Sequence, residues 1–232
     1  MININKLFLE NLKFKSTNIV EDKINNLEII LNKCTTTATY RNTKTGEVSK
    51  EKIDTNTFEL KIDKVCWLKH NLDYLFSVME VYSHYALAEG NVICTGLGFG
   101  LRENWLLSNN KVKKILCIEN CKELIEYHHK HNPMLMEKIK IINEDAEKYV
   151  GECDTLLLDH YEQGEDDFVL DTVEKVAKNI KHKKLWFWRI EHMLWNHYIT
   201  YLNLRKRFPT LPNLNETEIK HFITIFLHGK KI

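Results

Sequence analysis

The 232-residue chain has no apolar run of the roughly 18–20 residues that a bilayer-spanning helix needs. It also lacks a bias of charge, since 33 basic residues stand against 32 acidic ones for a formal net charge of +1. That balance gives no general reason to expect nucleic acid or an acidic membrane as partner. The first residues, Met1 to Lys6, lack the charged-then-apolar order of a signal peptide. None of the six cysteines (Cys34, Cys66, Cys94, Cys117, Cys121, Cys153) forms a Cys-x-x-Cys pair. They read as buried thiols of a reducing compartment, so a cytoplasmic location is expected. Internal repeats and low-complexity segments are missing too. What remains, at 44% hydrophobic and 28% charged residues, is the profile of a globular domain with ample core.

The first 65 residues differ from the rest. Leu27 to Tyr40 is rich in β-branched residues, Phe58 to Ile62 alternates apolar and charged, and Asn42 to Gly46 is a turn signal. This predicts a β-hairpin extension over 1–66, packed on the main domain as structural padding or, alternatively, closing over a substrate site. Trp67 to Ala88 carries apolar residues at three- and four-residue steps and predicts one amphipathic helix, stopped at Gly90.

From Asn91 to the end, strand and helix signals alternate. Strands are expected from Asn91, at Lys114–Glu119, Ile139–Asn143, Asp154–Asp159 and Lys184–Arg189. Helices are expected over Leu101–Leu107, Cys121–His131, Asp166–Ile180 and Met193–Phe208. His221–Leu227 reads as a last edge or reversed strand. Near-continuous apolar strands separated by helices predict an α/β, Rossmann-like, doubly wound and mostly parallel sheet over 67–232.

Ligands of such sheets sit beyond the carboxyl ends of the strands. The polar residues there are Gly96-x-Gly98-x-Gly100, Glu119, Glu144-Asp145, Asp159-His160-Tyr161-Glu162, and Arg189 with Glu191. Glycines allow a sharp turn and a ligand's close approach to bare backbone. Glu119, 21 residues beyond Gly98, can accept both hydroxyls of a ribose. Asp145, before Ala146, can accept from an adenine amine, or it can cap a helix. A dinucleotide site wants a third glycine where Leu101 stands, which turns the loop away from NAD.

Gly96-x-Gly98-x-Gly100, followed in order by Glu119, Asp145 and Asp159, resembles the motifs of class I S-adenosylmethionine-dependent methyltransferases. The resemblance covers roughly 87–189 and implies S-adenosyl-L-methionine as cofactor, held by the three glycines, Glu119, Asp145 and Ala146. Val78-Met79-Glu80, Gly98-Phe99-Gly100, Ile118-Glu119 and Leu158-Asp159-His160-Tyr161 look like small-molecule N-methyltransferases of the guanidinoacetate type, although that family has Asp-Thr-Tyr after its fourth strand. Asp159-x-x-Glu162 and Arg189-x-Glu191 resemble aminopropyltransferases such as spermidine synthase, with arginine in place of that family's glutamine.

The resemblance implies a transferase acting on a nitrogen of a small amine or guanidine. Methyl transfer is expected, with aminopropyl transfer or cofactor binding without catalysis as alternatives. Asp159, His160 and Glu162 are the expected catalytic groups; Asp159, Tyr161, Arg189 and Glu191 would hold the acceptor. The rings of Trp186 and Trp188 read as packing. His128-His129-Lys130-His131 has no matching carboxylate or thiolate set, so it reads as a solvated helix face and no metal site is expected. Asp159-His160-Tyr161-Glu162 is not the Asp/Asn-Pro-Pro-aromatic motif of base-modifying enzymes.

Overall fold

In the computed structural model, residues 19–41, 48–71, 76–160, 166–194 and 198–230 are described. Tight turns build the N-terminal sheet. Asn25 takes a left-handed φ of 54° between β1 (Asp22–Ile24) and β2 (Leu27–Arg41). Asp63 and Lys64, at φ 51° and 68°, close a two-residue hairpin between β3 (Val48–Ile62) and β4 (Val65–Asn71). Two successive left-handed residues match the twist of the strands they join. The result is a four-stranded antiparallel sheet in the order β1-β2-β3-β4. Period-two alternation turns Leu27, Ile29, Phe58 and Leu60 inward, where all four are buried.

That hairpin overturns part of the expected helix. Helix α1 is described over Phe76–Leu87, and Val65 to Asn71 pairs with β3 instead; 72–75 lie outside the described residues. The three- and four-residue apolar steps had run a strand and a helix together.

The parallel core follows the expected alternation: β5 (Gly90–Thr95), α2 (Leu101–Leu106), β6 (Val112–Glu119), α3 (Lys122–His131), α4 (Pro133–Met136) and β7 (Lys140–Asn143). Then come β8 (Gly151–Glu152), β9 (Thr155–Leu158), α5 (Asp166–Asn179), β10 (Ile180–Lys181) and β11 (Lys184–Phe187). Five strands form one sheet in the order β11-β9-β5-β6-β7, and every pairing in it is parallel. All four residues of β9 are buried, as a strand covered on both faces requires. The chain winds outward from β5 through β6 to β7, then returns to the other side of β5 at β9. This is a Rossmann-like α/β fold whose topological switch point lies between β5 and β9.

The C-terminal part is α6 (Ile190–Met193), α7 (Tyr198–Arg207) and α8 (Glu216–Lys230). Of the expected helix from Met193 to Phe208, Met193 ends α6 and Tyr198 to Arg207 is α7, while 195–197 lie outside the described residues. The expected strand His221–Leu227 is helical. Asn215 and Glu218 form a capping box, Asn215 Oδ1 accepting from the Glu218 N–H at 3.0 Å and Glu218 Oε2 accepting from the Asn215 N–H at 2.8 Å. Ile219, Phe222, Ile223 and Ile225 are buried, and the Phe222 ring meets Tyr82 of α1 and Trp186 of β11. Helical packing overrides the β-propensity of that run. Among the described residues, no helix is long and apolar enough to cross a membrane.

Candidate functional site

The glycine loop connects β5 to α2, and Gly96, Gly98 and Gly100 all have left-handed φ values of 74°, 50° and 70°. At Gly96 the constraint is internal to the protein. A Cβ there would lie 2.2 Å from the backbone oxygen of Asp159, so the turns after β5 and β9 touch. The loop is tied down from β6 and α3. Glu119 accepts the Leu97 N–H on Oε2 and the Cys121 N–H on Oε1, both at 2.7 Å.

His128 holds the loop from the other side. Its Nδ1 accepts from Asn132 Nδ2 at 3.3 Å, which assigns the ring proton to Nε2 and makes Nε2–H the donor to Gly98 O at 2.9 Å. The ring is fully buried, and burial pulls its pKa down to about 4, so it is neutral. His128 therefore does not lie on a solvated helix face, as the sequence suggested. The His-His-Lys-His run divides instead, with His131 and Lys130 meeting Asp22 of β1 at the edge of the N-terminal sheet. Among the described residues, no group of three or more His, Cys, Asp or Glu side chains is arranged to hold a metal ion.

A cavity of about 450 Å³ opens at the switch point, within the ~300–1,000 Å³ range of small-molecule sites. Its floor is the loop from Gly96 to Phe99; Glu119, Asp145 and Ala146 form one wall; Arg102, Glu103, Asp159 and His160 form the other. Leu60, Ile62 and Leu68 of the antiparallel sheet close it from above. Of the two roles expected for the extension, padding or cover, its sheet takes the second by forming part of the cavity wall, and Leu68 Cδ2 would lie 3.1 Å from a Cβ on Gly98. Tyr127 of α3 anchors this sheet, its hydroxyl accepting the Val20 N–H at 2.8 Å and donating to Val20 O at 2.9 Å.

Charge gives the cavity its character. Among the described residues six carboxylates line it, from Glu103, Glu119, Glu123, Glu144, Asp145 and Asp159, against the single guanidinium of Arg102. Such a wall favours a cationic ligand. Glu119 is only 7% exposed; burial raises its pKa, and the backbone N–H groups of Leu97 and Cys121 work against that rise. Asp145 both faces the cavity and caps a turn, accepting the Glu147 N–H at 3.0 Å and the Lys148 ammonium at 3.2 Å. The Glu147 N–H is the larger influence holding its carboxyl below the ordinary value.

Asp159 lies at the end of β9. Its carboxyl is enclosed by protein but 37% accessible through the cavity, and enclosure pushes its pKa up to about 6 against the pull of Arg102. Its N–H donates to Thr95 Oγ1 at 3.2 Å, and the same hydroxyl is hydrogen-bonded to His160 Nδ1 at 2.6 Å. His160 is neutral, with burial lowering its pKa to about 4.

Two expected acceptor residues lie outside the cavity wall. Arg189 stands at the left-handed start of α6, with φ 78°, and faces Asp166 at 3.6 Å. Glu191 is buried and accepts from the Trp186 indole at 3.2 Å, a group that also donates to Ser83 Oγ at 2.9 Å. Trp186 is core, as its alternation indicated. Tyr161 and Glu162 lie outside the described residues. Sequence reasoning had passed over Thr95, Arg102, Glu103 and the roof leucines. A visible signal existed for one pair: Arg102-Glu103 begins two residues after Gly100, between Leu101 and the apolar Trp105-Leu106-Leu107.

No family model matches the chain, and no curated protein matches it. Solved structures similar to it include the spermidine synthase of Thermotoga maritima, at 14% identity and a TM-score of 0.40 over 65% of this chain and 61% of that one. Another is a putative S-adenosyl-L-methionine-dependent methyltransferase of Methanococcus maripaludis, at 14% identity and 0.38 over 67% of this chain and 78% of that one. A third is a putative RNA methyltransferase of Pyrococcus horikoshii, at 19% identity and 0.36 over 52% and 66%. The chain thus spans less than two thirds of the spermidine synthase it matches. At these scores the likenesses carry no argument about activity, and the fold rests on the strand order itself.

Proposed function

We propose that the protein is an S-adenosyl-L-methionine-dependent transferase that methylates a nitrogen of a small amine or guanidine. The observation that carries this reading is the cavity at the switch point, with six carboxylates and one guanidinium among the described residues of its wall. A sulfonium cofactor and a protonated amine are both cations, and a nucleoside fits the position that doubly wound sheets give such ligands. Glu119 would take the ribose: each of its oxygens accepts one backbone N–H and keeps a second lone pair. Asp145 and Ala146 would meet the adenine. The bound cofactor supplies an electrophilic methyl carbon on sulfur.

The chain's own residues manage the proton. An ammonium or guanidinium must lose one proton to become a nucleophile. Asp159, with a pKa of about 6, is mostly ionised at pH 7 and is a stronger base than an ordinary carboxylate. It would accept a hydrogen bond from the nitrogen, orient it, and take its proton. His160, neutral and engaged with Thr95, fits an orienting role better than that of base.

One observation favours a second reading, aminopropyl transfer. Among the described wall residues Arg102 alone carries a fixed positive charge, and its Nη2 is occupied by Thr95 O, Gly96 O and Glu103. A decarboxylated cofactor would make no call on a cation there. Calorimetry with S-adenosylmethionine and its demethylated product should show binding; no heat with either would sink the cofactor reading. Mass spectrometry after incubation with an amine and guanidine pool, once with each cofactor, then distinguishes the reactions. Gain of one methyl group is expected, and gain of one aminopropyl group would replace the first reading with the second.

A further inference from the structure

Arg102 and Glu103 are adjacent on α2, and both are almost completely buried, at 4% and 0% exposure. A charged pair taken this far out of water is costly, and replacing one with apolar residues is often neutral or stabilising. Its place in the wall of a cavity therefore points to something other than stability.

The guanidinium makes three kinds of contact. Nη2 donates to Thr95 O at 3.2 Å and to Gly96 O, fastening the end of β5. Nε donates to Glu103 Oε1 at 2.9 Å. Nη1 has no hydrogen-bond partner among the described residues and faces Asp159 Oδ2 at 3.8 Å, too long for a hydrogen bond but close for two charges. Thr95 in turn holds the Asp159 N–H, and Gly96 touches the Asp159 carbonyl. Arg102 therefore reaches Asp159 twice, through the backbone it fastens and through space.

Resting on the transferase reading, we infer that Arg102 is the positioning residue for Asp159, holding it in place and in its carboxylate form, with Glu103 as the counter-charge that limits this hold. Several groups face the pair from other elements: the thiols of Cys94 on β5 and Cys117 on β6, kept protonated by burial, and the Glu119 carboxyl at the end of β6. His84 of α1 is buried beside Arg102 and kept uncharged by burial. His160 is neutral and turned to Thr95, and Asp145 acts on His160 from across the cavity. Two unlike charges on α2 thus pull Asp159 in opposite senses, Arg102 downward and Glu103 upward.

The test follows the Asp159 carboxyl by carbon NMR titration of the ligand-free protein, in parallel with the pH–rate profile of transfer. Arg102→Gln should raise the Asp159 midpoint by roughly 1–3 pH units, the usual size of an adjacent arginine's effect. Glu103→Gln should lower it by about 0.5–1 pH unit. The acid limb of the rate profile should move the same way in each variant. If a single variant fails to fold because one buried charge is left alone, the Arg102→Gln/Glu103→Gln double variant removes both, and its midpoint should rise. Unmoved midpoints, or shifts in the same direction for both single variants, would overturn the inference whatever the activity. Opposite shifts in a protein that transfers nothing would instead sink the transferase reading and leave the coupling between the three residues standing.

Discussion

Glu119 has two tasks that compete for the same atoms. Its oxygens fasten the glycine loop through Leu97 and Cys121, and in the proposed complex they also accept a ribose. Glu119→Gln puts an NH₂ group against one of those backbone N–H groups, so both tasks suffer. Loss of a charge-assisted hydrogen bond is worth about 1.5–3 kcal/mol, so calorimetry should show cofactor affinity reduced by roughly 10–100-fold, with a lower melting temperature. Affinity within twofold of the unaltered protein would remove Glu119 from the ribose site.

Asp159→Asn separates binding from turnover. It keeps the shape and removes the base, so transfer should fall by about 10²–10⁴-fold, the usual scale of acid–base catalysis, with little change in cofactor affinity. Full activity would mean that the acceptor is held elsewhere. Both residues were legible because each ends a predicted strand, where the fold places ligands. Arg102 and His128 were not. A charge on a helix reads as a solvated face, and only the tertiary structure reveals that α2 is buried and that Asn132 and Gly98 enclose the imidazole.

At the scale of elements, the interior of the parallel sheet was legible and the two ends of the chain were not. Apolar runs such as Leu156–Leu158 admit one reading when glycines, acids and helices flank them. Val65–Leu68 and Phe222–Leu227 are short apolar runs that fit strand or helix equally, and partners distant in sequence decide. For the first, the partner is β3 across the Asp63-Lys64 turn. For the second, it is α1, and the local sign is the box formed by Asn215 and Glu218. Asn215→Ala should therefore destabilise the protein by about 1 kcal/mol, lowering the melting temperature by roughly 2–4 °C for a chain of this size. An unchanged melting temperature would mean that packing on α1 alone sets where α8 starts.

At the scale of the whole molecule, strand order and the roof over the cavity depend on contacts that no single stretch carries, while titration sums over all of them. His128 and His160 are held neutral with pKa values pulled to about 4 by burial, against an ordinary value near 6.5. Between those values the unfolded chain binds protons that the folded chain does not, so stability falls as pH drops from about 6.5 towards 4. Asp159 works the other way: its raised pKa makes the folded state bind the extra proton between about 3.8 and 6. Its access to solvent reduces its weight. The fully buried His128 alone contributes about 2 kcal/mol of loss by pH 5, and His84, also lowered by burial, adds in the same direction. Urea unfolding should therefore show a lower midpoint at pH 5 than at pH 7. His128→Gln, which retains a donor for Gly98 O, should flatten that dependence by about 2 kcal/mol even where it lowers stability at both pH values. The same slope in the variant and the unaltered protein would mean that the imidazole under the glycine loop takes up its proton in the folded state as readily as in the unfolded one.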